Sequence, residues 1–513
     1  MREDWIETEL GRICVKALKV KRKEMHLNES FIYLDIGAIN NITNKITDHK
    51  IYTWKNAPSR AQQIVKKGDV LFSTVRTYLK NIAQITGKEY ENQICSSGFT
   101  VLRGRTEFLE SKYLFFFSVS DIFLNPLNKL QTGTSYPAVR DKDVFSQTIP
   151  LPPLPEQRAI VAKIEQVFSA LDQGVQSLEK AQAQLKTYQQ AVLQKAFEGE
   201  LTKAWREAQT DLPMAEELLE KIKREREQYY AQQLMEWEAA VTAWASGGKV
   251  GRKPGKARKL EDITISNPDE YSHKIPDSWL SIEAKFVNHF ITKGTTPTKN
   301  DLFQGNGEIP FIKVYNLTNN KGLDFSINPT FVSRIVHEGF LKRSIVFPND
   351  VLMNIVGPPL GKVSIVPNMY REWNINQAIA RFRTLKILVP RFLAHFLVKA
   401  DTIQTVSKKA KATAGQFNLT LEICRNIDIP ICSIQEQHQI VQEIESRLSV
   451  CDKLEESIQE NLKKAEALRQ SILKKAFEGR LLSEAELAAC RQEADWEPAA
   501  DLLARIKEEK DKK

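Results

Sequence analysis

At 513 residues the chain is too long for one compact core and calls for two or more domains, and its 42% hydrophobic and 27% charged residues are those of a soluble globular protein. No uninterrupted apolar run approaches the roughly 18 residues of a membrane span, which removes that class from the expectation. The net charge of +9 is uneven: Lys and Arg outnumber Asp and Glu by 22 to 16 over residues 1–150 and by 19 to 11 over 276–430, while 151–245 and 431–513 are each net −4. Two basic blocks separated by acidic segments point to two surfaces for a polyanion.

In chain order, the opening "MREDWIETEL" has no apolar h-region, so no signal peptide is expected. Six scattered cysteines without a CxxC pair predict reduced thiols in the cytoplasm, with neither a disulfide framework nor a zinc site. Residues 1–150 contain short β-rich runs such as "QQIVKKGDVLFSTV" broken by Gly, Asn and Asp, the texture of an α+β domain of short strands with a few helices. "FLESKYLFFFSVS" is interrupted by Glu110 and Lys112 and reads as a buried helix. In this block "STVRTYLKN" and "QTGTSYPAVR" mix cationic, hydroxyl and aromatic side chains in turn-bearing segments. Arg76, Tyr78, Lys80, Thr134, Ser135, Tyr136 and Arg140 are therefore candidates for DNA contact, since Arg and Lys hold phosphates or the guanine edge.

After "IPLPPLPEQ" the pattern becomes helical. Val161, Ile164, Phe168, Leu171, Val175, Leu178, Leu185 and Val192 recur at steps of 3 and 4, with Gln182 and Gln189 in the gaps. A narrow seam of period 3.5 predicts a coiled-coil helix rather than a broad core-facing one. Pro155 suits its first turn and Gly199 a left-handed closing residue, giving a helix of roughly 65 Å at about 1.5 Å per residue. "MAEELLEKIKREREQYYAQQLMEWEAAVTAW" follows as a charged helix expected to project from the first block. "AWASGGKVGRKPGKARKLED", with six basic residues and no acid over 246–259, reads as a flexible linker.

The second half repeats the first. "KAFEG" at Lys195 recurs at Lys475, 280 positions on, and 17 of the 47 pairs from Glu156/Glu436 to Thr202/Leu482 are identical without a gap. "FIYLDIGAINN" at Phe31 faces "FIKVYNLTNN" at Phe311, and "KGDVLFS" at Lys67 faces "PNDVLMN" at Pro348. "AEELLEKIKRERE" at Ala215 faces "AADLLARIKEEKD" at Ala499. Each repeat is thus a domain plus a helix, far above solenoid periods. In the second copy, Val441, Ile444, Leu448, Cys451, Ile458, Leu462, Ala465 and Ile472 occupy the seam register. One such helix is unstable alone, so the two are expected to pair with each other, in either orientation as far as the seam shows. "ITKGTTPTKN", "GPPLGKV" and "SKKAKATAGQFN" supply the second block's candidate DNA contacts: Lys293, Thr295, Thr296, Lys362, Lys409, Lys411, Gln416 and Asn418.

Catalytic signatures are missing. The chain has no P-loop, HExxH or GxSxG, and neither "NPLN" at Asn125 nor "NPDE" at Asn267 is the Asn/Asp-Pro-Pro-aromatic tetrapeptide an adenine methyltransferase needs. Pro276-Asp277 with Glu283-Ala284-Lys285 has the letters of a metal-dependent nuclease motif, but five residues between the carboxylates is too short to bring them from different strands. The seven histidines are dispersed, and His337-Glu338 lacks a second ligand at helical spacing. A non-enzymatic chain is expected. A coiled-coil DNA-binding scaffold without sequence reading, and less so a self-contained nuclease or methyltransferase, are the alternatives.

The duplicated helix starts "IPLPPLPEQRAIVAKIE" and "IPICSIQEQHQIVQEIE", the two "KAFEG" ends, the Trp-containing repeat starts "DWIETELG" and "IPDSWLSIEAK", and the "TGTSYPAV"/"TAGQFNLT" segments together resemble the specificity subunit of Type I restriction-modification enzymes. That resemblance implies a non-catalytic reader. It also implies an α+β chain of two tandemly repeated α/β target recognition domains, separated by two long helices that form an antiparallel intramolecular coiled coil. It places the first recognition domain at 1–152, the first helix and its extension at 153–245, the basic linker at 246–275, the second recognition domain at 276–432, and the second helix with its tail at 433–513. It implies a bipartite, asymmetric double-stranded DNA target with the helices setting the unread gap, at most about 19 base pairs at 3.4 Å each. The implied partners are two modification (methyltransferase) subunits carrying S-adenosylmethionine and motor-nuclease restriction subunits using ATP and Mg; the acidic helices and the tails 206–245 and 486–513 are candidates for those contacts. The chain itself is expected to bind no cofactor.

Overall fold

The computed structural model describes residues 2, 4–256, 259–265, 275–318, 322–357, 359–413 and 416–511. The chain divides into two units, residues 1–180 with 457–513, and residues 181–456. Each contains one strand-rich domain built to the same plan. In the first, Ser30–Leu34 and Ile94–Ser96 run parallel at the centre of a four-stranded sheet, and Phe99–Gly104 pairs antiparallel with Val70–Ser73 in a second sheet. In the second, Ile309–Ile312 and Trp373–Ile375 form the matching parallel pair, and Ile379–Thr384 lies between Asn288–Lys293 and Val351–Asn354. Each domain is closed by an antiparallel pairing of its first and last strands, Ile6–Glu9 with Thr148–Leu151 and Leu280–Glu283 with Asp428–Ile431.

The repeated "GDVL"/"NDVL" motif explains part of this likeness. Gly68 (φ +90°) and Asn349 (φ +72°) take the left-handed backbone that leads into a central strand, which glycine and asparagine adopt most readily. The following carboxylate is buried and fully engaged. Asp69 takes Nε and Nη2 of Arg103 at 2.8 and 2.7 Å and the Lys66 N–H at 2.7 Å. Asp350 takes the same two donors of Arg383 at 2.8 and 2.7 Å and the Phe347 N–H at 2.8 Å. A forked guanidinium on a buried carboxylate satisfies both charges at once.

Two helices of 44 residues, Leu154–Phe197 and Ile434–Phe477, follow the two domains. Both start with a Glu-Gln pair used identically. The indole Nε1 of Trp5 donates to Glu156 at 3.0 Å, and that of Trp279 to Glu436 at 2.9 Å. Gln157 donates to the carbonyls of Phe108 and Pro152, and Gln437 to those of Ile387 and Cys432. The sequence repeat therefore marks the joint that fixes each helix to its own domain.

The helices pack together antiparallel within each unit. In the first, Ile160, Val161 and Ile164 share a core with Ile472, Leu473 and Ala476, while further along Arg469 pairs with Asp172 and lies 4.9 Å over the Phe168 ring. In the second, Val192, Leu193 and Phe197 share a core with Ile440, Val441 and Ile444. Of the seam positions, Ile164, Val192, Ile444, Cys451, Ile458 and Ile472 are buried, and Phe168, Leu171, Val175, Leu178, Leu185, Leu448 and Leu462 are half-buried.

Both helix ends are closed by the "KAFEG" segment. Gly199 (φ +75°) and Gly479 (φ +74°) are left-handed; Glu200 N–H bonds Lys195 O at 2.9 Å and Gly199 N–H bonds Ala196 O at 3.1 Å, and Arg480 N–H bonds Lys475 O at 2.8 Å and Gly479 N–H bonds Ala476 O at 3.2 Å, the paired hydrogen bonds of a Schellman cap at each end. Phe197 stacks edge-on against Phe392 and Phe396, and Phe477 against Tyr113 and Phe117. The apolar helix "FLESKYLFFFSVS", observed as Ser111–Ser118, is the platform for Phe477.

The charged helix expected to project from the first block is Ala215–Ser246, and its base docks elsewhere. Leu218 and Ile222, four apart on one face, are buried in the core of the second unit, and Glu225 accepts the N–H groups of Lys386 and Ile387 at 2.5 and 3.2 Å. Its counterpart Ala499–Asp511 buries Leu502 and Ile506 in the first unit. Among the described residues no helix is long and apolar enough to cross a membrane.

Candidate nucleic-acid interface

In both domains the same backbone hydrogen bonds gather the loops that carry the candidate residues. In the first, Thr74 N–H bonds Gly98 O (3.0 Å), Val139 N–H bonds Thr74 O (3.0 Å), Ser73 N–H bonds Asn81 O (3.1 Å), and Val75 bridges Ala138. In the second, Ile355 N–H bonds Ala378 O (2.8 Å), Leu419 N–H bonds Ile355 O (2.9 Å), Asn354 N–H bonds Lys362 O (2.9 Å), and Val356 bridges Asn418. These bonds and bridges correspond one to one at offsets of 280 or 281 residues. One frame, used twice, presents two different sets of side chains.

On the first frame Arg76 is left-handed (φ +50°), donates Nη2 to Ser135 O at 3.1 Å and lies 5.0 Å over the Tyr136 ring. Tyr136 is 72% and Tyr78 52% exposed, a large aromatic area for loop tips, and Thr134 and Ser135 are exposed beside them. Lys80 reaches Asp121 at 3.2 Å, and Arg140 forks onto Asp143, holding that carboxyl below its ordinary pKa. Those two cations are paired with carboxylates, whereas half-buried Arg76 contacts a carbonyl and the exposed Tyr136 ring. The hairpin of Ile39–Asn40 and Lys45–Ile46 joins the same edge, since Asn41 donates to Leu79 O at 3.0 Å and Asn44 to Lys80 O at 2.9 Å. Sequence reasoning passed over these residues; the turn-rich "INNITNK" was the available signal.

On the second frame Gly294 donates to Ile379 O (3.1 Å) and Thr295 to Ile375 O (3.2 Å). A Cβ on Gly294 would stand 2.1 Å from Ile375 O, so only glycine permits this approach. The approach brings exposed Lys293 and Thr296 to the frame, and Thr296, Lys299, Lys313, Asn376 and Gln377 line one cleft. Half-buried Lys362 donates its N–H to Asn354 Oδ1 at 2.6 Å, and exposed Lys409 closes the helix Ala400–Lys409. Lys411 and Gln416 lie on the paired strands Lys411–Thr413 and Gln416–Asn418, but their side chains, with Ala414 and Gly415, fall outside the described residues.

Some of the buried polar atoms without a partner lie on these loops. Arg76 Nε and Gln131 Oε1 in the first domain, and Thr295 Oγ1, Asn376 Oδ1 and Asn418 Oδ1 in the second, are buried and unpaired within the chain. Such atoms are costly unless a partner supplies the missing bond.

Elsewhere the polar groups are structural. Lys285 pairs with Glu283 at 2.7 Å, and His337 is buried against Asn374 (2.7 Å) and Glu372 (3.3 Å). Among the described residues no three His, Cys, Asp or Glu side chains are grouped to hold a metal ion. "NPDE" at Asn267 lies outside the described residues.

A duplicated recognition protein, with two loop-built surfaces and a long helix following each domain, is the class these features define. Residues 2–181 and 279–464 both match the Type I restriction modification DNA specificity domain, and the chain belongs to that family. It is a DNA specificity subunit of a Type I restriction-modification system, the non-catalytic member of that enzyme complex. It is similar to the EcoBI specificity subunit of Escherichia coli, 25% identical over 507 residues covering 95% of this chain and 94% of that one. The EcoKI specificity subunit of Escherichia coli strain K12 is 20% identical over 488 residues, covering 93% and 89%. A chain from a structure of type I restriction-modification complex assembly and conformational transition superposes with a TM-score of 0.67 at 25% identity, covering 94% of this chain and 99% of that one.

Proposed function

We propose that the two domains, residues 1–152 and 276–432, read the two halves of a bipartite and asymmetric duplex DNA target. The observation that carries this is one loop frame bearing unlike side chains. Arg76 corresponds to Gly357, Tyr78 to Pro359 and Tyr136 to Gln416. In this reading the two matched frames meet DNA in the same way, and unlike side chains then prefer unlike base pairs. On the first frame Arg76, Tyr78, Thr134, Ser135 and Tyr136 are assigned to DNA, with Lys80 and Arg140 as weaker contributors. On the second the assigned residues are Lys293, Thr295, Thr296, Lys362, Lys409, Lys411, Gln416 and Asn418.

The duplicated joints and helices offer two equivalent docking surfaces, which suits two copies of one modification subunit. The tails at 206–245 and 486–513 are assigned to those partners and to restriction subunits. S-adenosylmethionine, ATP and Mg belong in this reading to the partners, and this chain's residues bind and orient the DNA. The test is to map methylated adenines in DNA exposed to the chain together with its modification subunit. Two short, different, separated motifs support the reading; a single uninterrupted motif, or methylation without sequence preference, overturns it.

A further inference from the structure

The helix Ala215–Ser246 runs along the second domain toward its DNA-reading edge. Arg226 lies 4.9 Å over Phe286 and the Tyr229 ring lies 4.2 Å from that of His289, tilted by 52°, so helix and strand Asn288–Lys293 advance in the same direction. Lys293 ends that strand at the loop frame. From Tyr229 the helix continues for about 25 Å to Ser246 at about 1.5 Å per residue, while the strand needs only about 13 Å from His289 to Lys293, so the helix tip passes the frame by roughly 12 Å. The chain then turns through Gly248 and Lys249, both with positive φ, and folds back along the helix. Trp244 Nε1 donates to Gly251 O at 3.2 Å and Trp237 Nε1 to Pro254 O at 3.1 Å, with Lys256 5.2 Å over the Trp237 ring. Arg226 donates to Glu261 O of the returning chain at 2.8 Å. The stretch 246–259 carries six basic residues and no acid, and Lys249, Arg252, Lys253 and Lys256 are exposed on the turn.

The geometry points to this hairpin as a cationic prong that grips the phosphate backbone of the DNA read by the second domain, a sequence-independent contact added to the base-reading loops. It rests on the reading of the chain as a DNA recogniser. A prong beyond the reading edge meets the flank of a duplex seated there, and phosphates are the only strongly anionic groups on that flank.

The test substitutes Lys249→Ala, Arg252→Ala, Lys253→Ala and Lys256→Ala together in the full chain, assembled with its modification subunit. Affinity is measured on a duplex carrying the target and on one of unrelated sequence, from 50 to 200 mM salt. The prong predicts that affinity falls alike on both duplexes and that the slope of log affinity against log salt becomes shallower by about 0.9 for each phosphate no longer neutralised, roughly 2–3 in all. The charge-preserving Arg252→Lys should leave the slope as it was. Unchanged affinity and slope overturn the prong, as does a decrease confined to the target duplex or a failure to assemble with the partner. If the unsubstituted complex itself binds DNA without salt dependence, the DNA-recognition reading fails with it, and that control separates the two failures.

Discussion

Glu436 accepts three donors in a site 1% exposed: Trp279 Nε1 at 2.9 Å, Thr202 Oγ1 at 2.8 Å and Arg206 Nη1 at 2.6 Å. Trp279 opens the second domain and Thr202 and Arg206 follow the first long helix, so one carboxylate ties three segments of the second unit. Glu436→Gln keeps the shape but removes the charge and turns one oxygen into a donor facing another donor. Breaking a buried ion pair costs about 3–5 kcal/mol, and because the Arg206 side chain keeps 17% exposure the lower value applies. At roughly 2 °C per kcal/mol for a large domain, the melting temperature of the second unit should fall by about 6 °C. Differential scanning calorimetry of the full chain reads this. Thr202→Val, which removes one neutral hydrogen bond, should cost about 1 kcal/mol. Combining Glu436→Gln with Arg206→Met should recover much of the stability, since no buried charge is then left alone. The counterpart of Glu436 in the first unit, Glu156, takes the Trp5 indole at 3.0 Å and, among the described residues, makes no ion pair, so Glu156→Gln should be milder. If Glu436→Gln proves no worse than Thr202→Val, the carboxylate is not the tie described.

Gly479→Ala forces a Cβ to within 2.5 Å of Arg2 at φ +74° and should cost about 1–2 kcal/mol in urea unfolding, as should Gly199→Ala; a neutral result would refute the caps. Leu171→Glu or Leu448→Glu places a charge in the helix seam and should lower both thermal stability and assembly with partner subunits, read by light scattering. Arg76→Ala with Tyr136→Ala should weaken DNA binding at least tenfold and relax only the half-target read by the first domain, as methylation mapping would show. Glu486 has its pKa lowered to about 2 by the Ser483 N–H, Lys163 at 2.9 Å and the Ser483 hydroxyl. A depressed carboxylate contributes stability above its unfolded pKa, near 4.5, that is lost as pH falls toward 2. Glu486→Gln should therefore flatten the acid limb of stability between those values, and an unaltered limb would remove Glu486 from it.

What the sequence made legible was whatever depends on local period or on duplication. The seam from Val161 to Val192 announced its helix because burial recurs about once per turn, at steps of 3 and 4 residues, and "KAFEG" announced its end because a glycine cap and an apolar anchor sit together. The "GDVL" turns were visible as a repeat, but their forked arginines, Arg103 and Arg383, were not, since they arrive from strands more than 30 residues away. The loop frames were half legible. Arg76, Ser135 and Tyr136 were named from composition, yet their convergence depends on a bridge between Val75 and Ala138 that no local pattern encodes. Asn41 and Asn44 were missed for the same reason. Lys80 and Arg140 look in sequence like free cations and are paired in space with Asp121 and Asp143. The docking of Ala215–Ser246 was misread because its two buried residues, Leu218 and Ile222, are few against a largely charged surface.

The central claim is that one frame, used twice, reads two different half-targets independently. Exchanging residues 1–150 for those of a homologue, co-producing the chain with its own modification subunit, and mapping methylated adenines by single-molecule sequencing tests it most directly. The account predicts that one half of the methylated motif changes while the other half and the gap between them stay as they were. A change in both halves, or in neither, would contradict it.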